Sequence, residues 1–185
     1  MEILETPLPG LILIKPDVYR DSRGYFFESY NMERFMSHGI MPGFVQDNES
    51  LSSKGVIRGL HYQLEPYSQW KLVRVVEGAV FDVAVDLRRG SPAFGKWFGT
   101  ELSGENKMQM LIPKGFAHGF SVLSTNVLFA YKCDKVYNRQ MERCIRFDDP
   151  ILGIDWKLPE DEWCISDKDR SAPDFLHAEI NFTFL

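Results

Sequence analysis

Cysteine is scarce in this chain of 185 residues: Cys133, Cys144 and Cys164 are far apart and odd in number, and no C-x-x-C spacing occurs. A disulfide framework is therefore not expected. The three read as reduced, mostly packed thiols of a cytoplasmic protein. Positive charge is also short, with 21 Lys and Arg against 26 Asp and Glu, a net charge of -5. There is no basic run, so a nucleic-acid partner is not expected. No apolar run approaches the roughly 18 residues of a membrane helix, so no membrane association is expected. The start, Met1-Glu2, lacks the basic region of a signal peptide. Internal repeats and linkers are missing, which with this length favours a single domain over 1–185. The chain has no G-x-S-x-G, P-loop or G-x-G-x-x-G motif. That excludes the nucleophile elbow, the P-loop NTPase and the Rossmann dinucleotide fold.

Aromatics are abundant at 14%, with 14 Phe and 7 Tyr, a composition that favours strands. Lys71 to Glu77 is β-branched and ends at Gly78, and Ala79 to Leu87 alternates cleanly. Phe81, Val83, Val85 and Leu87 form one face of that second strand, read as core. Val80, Asp82, Ala84 and Asp86 form the other, either a solvent-facing surface or a polar pocket. Further strands are predicted over 109–112, 120–123, 127–133 and 144–147. A short helix is predicted over 32–37, with Asn31 as N-cap and Gly39 as its stop. Residues from 148 onward, with three prolines, read as loops and short turns wrapping the body. Many short strands with regular turn signals predict an all-β sandwich or barrel.

Histidine offers four candidates. His38 reads as a helix-end residue, and His177 has no evident partner. His61 and Arg58 differ in parity along one strand, so both can serve one site only if the strand bulges near Gly59. His118 follows the turn Pro113-Lys114-Gly115. Metal-binding cupins carry H-x-H on a strand and a later P-x-G-x-x-H. The second half is present in Pro113, Gly115 and His118, but the first reads His61-Tyr62-Gln63. An amide is a poor transition-metal ligand beside imidazole, so no metal and no cofactor are expected. General acid–base chemistry remains.

Four blocks then carry a resemblance: residues 21–28 (DSRGYFFE), 46–63 (QDNESLSSKGVIRGLHYQ), 69–88 (from QWKLVRV to DVAVDLR) and 112–120 (IPKGFAHGF), continued by 131–133 and 166–169. The chain resembles the dTDP-4-dehydrorhamnose 3,5-epimerase family over nearly its whole length. The resemblance implies an all-β, cupin-like jelly-roll barrel with a few short helices, a homodimer, no metal and no cofactor. It implies the substrate dTDP-4-dehydro-6-deoxy-D-glucose, a dTDP-4-keto-6-deoxy sugar, inverted at C3 and C5 on the way to dTDP-L-rhamnose. A single-centre epimerase or ketoisomerase acting on a related dTDP-4-keto sugar is the alternative. By the same resemblance His61 is the base and Asp169 the acid paired with it. Tyr131 is the proton donor on the opposite face, and Lys71 lies near the C4 oxygen. Arg23, Phe26, Glu28, Gln46 and Asn48 match substrate-binding positions, as do Arg58, His118, Glu142 and Lys168. Tyr137 matches the aromatic that stacks on thymine. In relatives the 23–28 segment can reach across the dimer. The chain departs from the family at Arg143-Cys144, where a glycine pair is common.

Overall fold

A computed structural model describes residues 1–40 and 43–184. The chain runs through β1 (Glu2–Glu5), β2 (Ile12–Lys15), the small hairpin β3 (Tyr19–Asp21) and β4 (Gly24–Phe26), and helix α1 (Met32–Ser37). Then follow β5 (Gln46–Ser53), β6 (Val56–Gln63), β7 (Lys71–Glu77), β8 (Ala79–Asp86), β9 (Trp97–Ser103) and β10 (Gln109–Ile112). Last come β11 (Phe116–Val122), β12 (Asn126–Cys133), β13 (Glu142–Cys144), β14 (Cys164–Ile165) and helix α2 (Asp167–Arg170). One sheet has the order β1-β2-β10-β7-β12-β5, and the other β13-β6-β11-β8-β9 with β14 alongside β6. Among the described residues the named strands pair antiparallel except β14 on β6, and an isolated parallel bridge joins Arg89 to Thr183. This is the all-β sandwich expected from the strand signals.

The central core forms between the two sheets. Val73, Val75, Met110, Val127 and Phe129 from the first meet Val80, Ala84, Leu102, Phe120 and Val122 from the second. Phe120 and Phe129 stack across the interface, centroids 4.3 Å apart. Truncating Phe129, which is 1% exposed, would cost about 3–5 kcal/mol. A second cluster covers the outer face of β8. There Phe81, Val83 and Val85 pack against Ile145, Phe147, Trp156, Phe175 and Phe182 of the C-terminal third. That segment wraps the body as expected, because an antiparallel sheet leaves an apolar face that something must cover. Helix α1 covers part of the first sheet, setting Phe35 on Ile14, Leu72 and Leu111. Its N-cap is Asn31, whose side chain accepts from the Arg34 N–H.

Several boundaries differ from the sequence reading. The face of β8 with Val80, Asp82, Ala84 and Asp86 is no solvent surface: it points between the sheets, and both carboxylates are fully buried. The strand expected over 120–123 begins at Phe116 and so includes His118. The strand expected over 144–147 instead spans Glu142–Cys144. Cys133 and Cys144 are buried thiols, but Cys164 is exposed. Within the C-terminal segment α2 begins after Ser166, whose hydroxyl accepts from the Asp169 N–H at 3.1 Å, a side-chain cap that starts the helix. No helix among the described residues is long and apolar enough to cross a membrane.

Candidate active site

A cavity of about 340 Å³ opens between the two sheets. From the first sheet β5 supplies Gln46 and Asn48, β7 supplies Lys71, and β12 supplies Phe129 and Tyr131. From the second β6 supplies Arg58, His61 and Gln63, β11 supplies His118, and β13 supplies Glu142. Tyr137 closes one side.

The parity conflict between Arg58 and His61 resolves as a bulge. The β6–β11 register shifts between His118 and Phe120, so that His118 faces His61 and Phe120 faces Arg58. Gly59 makes this possible. Its φ is +133, and a Cβ there would stand 2.6 Å from the Gly119 Cα. Only glycine tolerates both the conformation and the close approach.

Two His–Asp pairs result. His61 Nε2 lies 2.6 Å from Asp169 Oδ1. The Gly59 N–H points to the other oxygen at 3.4 Å. Burial would raise the Asp169 pKa, but the hydrogen bond and charge of His61 and the backbone donor outweigh it and hold the carboxyl below its usual range. With Asp169 ionised, Nε2 carries the ring proton and donates it. Nδ1 keeps the free lone pair. Cys144, paired with His61 across β13 and β6, sets its Sγ 3.6 Å from Asp169 Oδ1. Burial, first, and the Asp169 charge keep this thiol protonated well above its ordinary range. In the second pair His118 Nε2 sits 3.0 Å from both Asp82 oxygens. Asp82 is pushed up by burial, against the opposing pull of His118 and Lys71. Sequence reasoning left Asp82 out of the site. The available signal was a carboxylate alternating with small apolar residues in β8.

The Lys71 ammonium makes no hydrogen bond or ion pair among the described residues. Burial lowers its pKa, while Cys133, Asp82 and Glu142 pull the other way. Tyr131 is shifted upward by burial, so its hydroxyl stays protonated at neutral pH. Glu142 links two candidates, pairing with Lys168 at 2.6 Å and accepting from the Tyr137 hydroxyl at 2.9 Å. Gln46 accepts from the Tyr137 N–H at 2.8 Å and donates to Asn48 at 2.8 Å. Arg58 donates to Ser52 at 3.1 Å. Gln63 donates to the Tyr67 carbonyl at 2.9 Å and accepts from the Asn138 N–H. Both ends of its amide are thus tied to backbone, where a metal-binding cupin would offer a ligand.

Asp169 and Lys168 stand behind the cavity wall, acting on it through His61 and Glu142. Three expected residues lie outside the cavity of their own chain. Arg23 pairs with Asp21 at 2.6 Å, Phe26 is 67% exposed, and Glu28 binds Asn31 and Arg34. The β3–β4 hairpin that carries the first two pairs with neither large sheet; Lys107 holds it to the body by donating to the Tyr25 hydroxyl at 2.8 Å.

Known proteins resemble this chain in sequence and in fold. Residues 5–177 match the family model described as dTDP-4-dehydrorhamnose 3,5-epimerase. The enzyme of that name from Pseudomonas aeruginosa is 52% identical over 180 residues, 97% of this chain and 98% of the relative. The crystal structure of the Elizabethkingia anophelis enzyme superposes with a TM-score of 0.91 at 51% identity, covering 95% of this chain and 97% of that one. So does the Legionella pneumophila 3,5-epimerase, solved with dTDP-4-keto-L-rhamnose, also at 0.91 and 51%, covering 95% and 93%. A bulged His61 backed by Asp169, facing Lys71 and Tyr131 between two sheets, is thus housed in a chain alike from end to end to these enzymes, and the chain belongs to the dTDP-4-dehydrorhamnose 3,5-epimerase family.

Proposed function

We propose that this isomerase inverts C3 and C5 of dTDP-4-dehydro-6-deoxy-D-glucose, giving dTDP-4-dehydro-L-rhamnose for dTDP-L-rhamnose synthesis. One observation carries the mechanism: His61 belongs to one sheet and Tyr131 to the other, with the cavity between them. Inversion needs a base and an acid on opposite sides of the sugar ring.

His61 Nδ1 takes the proton from the carbon beside the C4 ketone. The C–H electron pair moves into the ring, and the carbonyl electrons move onto the C4 oxygen. Lys71 stabilises that enolate by donating to the oxygen. The Tyr131 hydroxyl delivers a proton to the other face of the carbon, and solvent returns the proton to the phenolate and removes the one held by His61. The sequence repeats at the second carbon. Asp169 holds the tautomer and supports the imidazolium, as the carboxylate does in a Ser-His-Asp triad. Arg58, with its forked guanidinium, and His118 bind the oxygens of the nucleotide sugar. Gln46, Asn48, Glu142 and Lys168 hold the wall against which it lies, and Tyr137 stacks on the thymine.

The working unit is a homodimer in which Arg23, Phe26 and Glu28 serve the partner's cavity. Their position outside their own cavity supports this, as does the exposure of Tyr19, Tyr25 and Phe26 on the hairpin. Three free thiols fit a cytoplasmic enzyme.

The test is turnover in D₂O followed by NMR at C3 and C5. Deuterium at both carbons is the expected result. Deuterium at one carbon would replace this reading with a single-centre epimerase, and at neither would remove catalysis from it.

A further inference from the structure

We propose that His61, Cys144 and Asp169 form an inhibitory site for a thiophilic divalent cation, zinc above all. The proposal rests on the reading of His61 as the base, because it concerns the same imidazole. The three side chains offer one nitrogen, one sulfur and one carboxylate oxygen, all within 4.8 Å of one another. Backbone pairing brings them together: β13 sets Cys144 opposite His61, and α2 sets Asp169 at Nε2.

The distances suit the ion. Tetrahedral zinc, bonded at roughly 2.0–2.2 Å to nitrogen and oxygen and about 2.3 Å to sulfur, holds its ligand atoms roughly 3.3–3.7 Å apart. Cys144 Sγ already stands 3.6 Å from Asp169 Oδ1. The 2.6 Å contact between His61 and Asp169 must open, by roughly 1 Å on the same bond lengths, and the His61 nitrogen must settle against a sulfur that lies within 4.8 Å of it. A thiolate and a carboxylate together cancel the charge of the ion. Sulfur with imidazole selects zinc over magnesium or calcium. The His61 side chain is 30% exposed, which leaves room for a water as fourth ligand. A crevice lined by Cys164, Ile165 and Ser166 also reaches His61 and Asp169, giving the ion a route that need not pass the sugar site.

The proton balance explains inhibition. As the Zn–S bond forms, the thiol releases one proton to solvent. Nε2 gives up its proton to the metal bond, and the ring regains one at Nδ1. One proton is released per ion. Nδ1, the atom that must accept a proton from the sugar, is then already protonated. The ion disables the base without occupying the sugar pocket.

The experiment uses the full chain, stripped of metal with a chelator. Zinc chloride is titrated by calorimetry, and cobalt(II) by its thiolate-to-metal charge-transfer absorption. One ion per chain is expected, with epimerisation falling in step with occupancy and returning on chelation. Cys144→Ala and Cys144→Ser should bind zinc about 100-fold more weakly or worse, since even outer-shell partners are worth 10–100-fold. Cys164→Ala should bind like the wild type. Lack of stoichiometric binding, lack of the charge-transfer band, or unchanged affinity in both Cys144 variants would overturn the site. A metal-free wild type without activity would overturn the reading of His61 instead, and the binding data would still judge the site.

Discussion

The two His–Asp pairs differ in where their carboxylates come from and how those are solvated. His61 and His118 face each other across β6 and β11. Asp169 reaches His61 from a helix 108 residues away and collects further donors around it. Asp82 sits in β8, next to β11, wholly buried, with His118 on both oxygens. Hydrogen bonds therefore hold Asp169 low, whereas desolvation pushes Asp82 up. His61, with a side chain 30% exposed, can reach a substrate. His118, at 9%, is a fixed post in the wall. In the proposed mechanism the same pair of residue types makes a base in one place and a rigid binding group in the other.

The sharpest way to break this comparison is to delete the base. His61→Ala should lower turnover by about 10²–10⁴-fold or more and abolish deuterium wash-in, because no enolate forms. Exchange surviving at the wild-type rate would move the base elsewhere, with His118 the first alternative. Next in size is Tyr131→Phe, which keeps the ring and loses the hydroxyl. It should still exchange the sugar proton through His61 but return it to the original face, giving slow net epimerisation in paired NMR time courses. Wild-type epimerisation would show that another group is the donor.

Smaller effects sharpen the contrast between the carboxylates. A carboxyl held low contributes stability above its unfolded pKa of about 3.9 and loses it as pH falls through the folded value. A carboxyl held high costs stability as pH rises through its folded value. The melting temperature of the wild type minus that of Asp169→Asn should therefore increase with pH from about 3 upward. The corresponding difference for Asp82→Asn should decrease. Slopes of the same sign, read from thermal melts across the acid range, would erase the distinction. The smallest expected effect is at the rim, where Tyr137→Ala should weaken dTDP binding by about 1–3 kcal/mol with turnover of bound substrate largely kept. Unchanged affinity by calorimetry would leave Tyr137 as a packing residue held by Glu142.

Much of this site could be read before folding, and the rest fails for identifiable reasons. Alternation marked β8, but a strand buried on both faces gives periodicity no way to tell inner from outer. Asp82 was consequently as compatible with solvent as with a pocket. Parity separated Arg58 from His61, and Gly59 offered the remedy because glycine in a strand commonly marks a bulge. Residues from 148 onward, rich in proline, read as loop, and the Ser166 cap that starts α2 came from the structure.

By itself, the sequence determined the strand-rich class and the family, and named the side chains proposed to react, because composition, alternation and long ordered motifs are local properties. The resemblance already paired Asp169 with His61, but only the tertiary structure decided that a capped helix, α2, makes that contact, that β13 sets a thiol beside the pair, and that Asp82 stands behind His118. Those are contacts between segments far apart in the chain. They arise from how two sheets close over a shared core and how the C-terminal third covers the apolar face left outside, and no local pattern of residues encodes that closure.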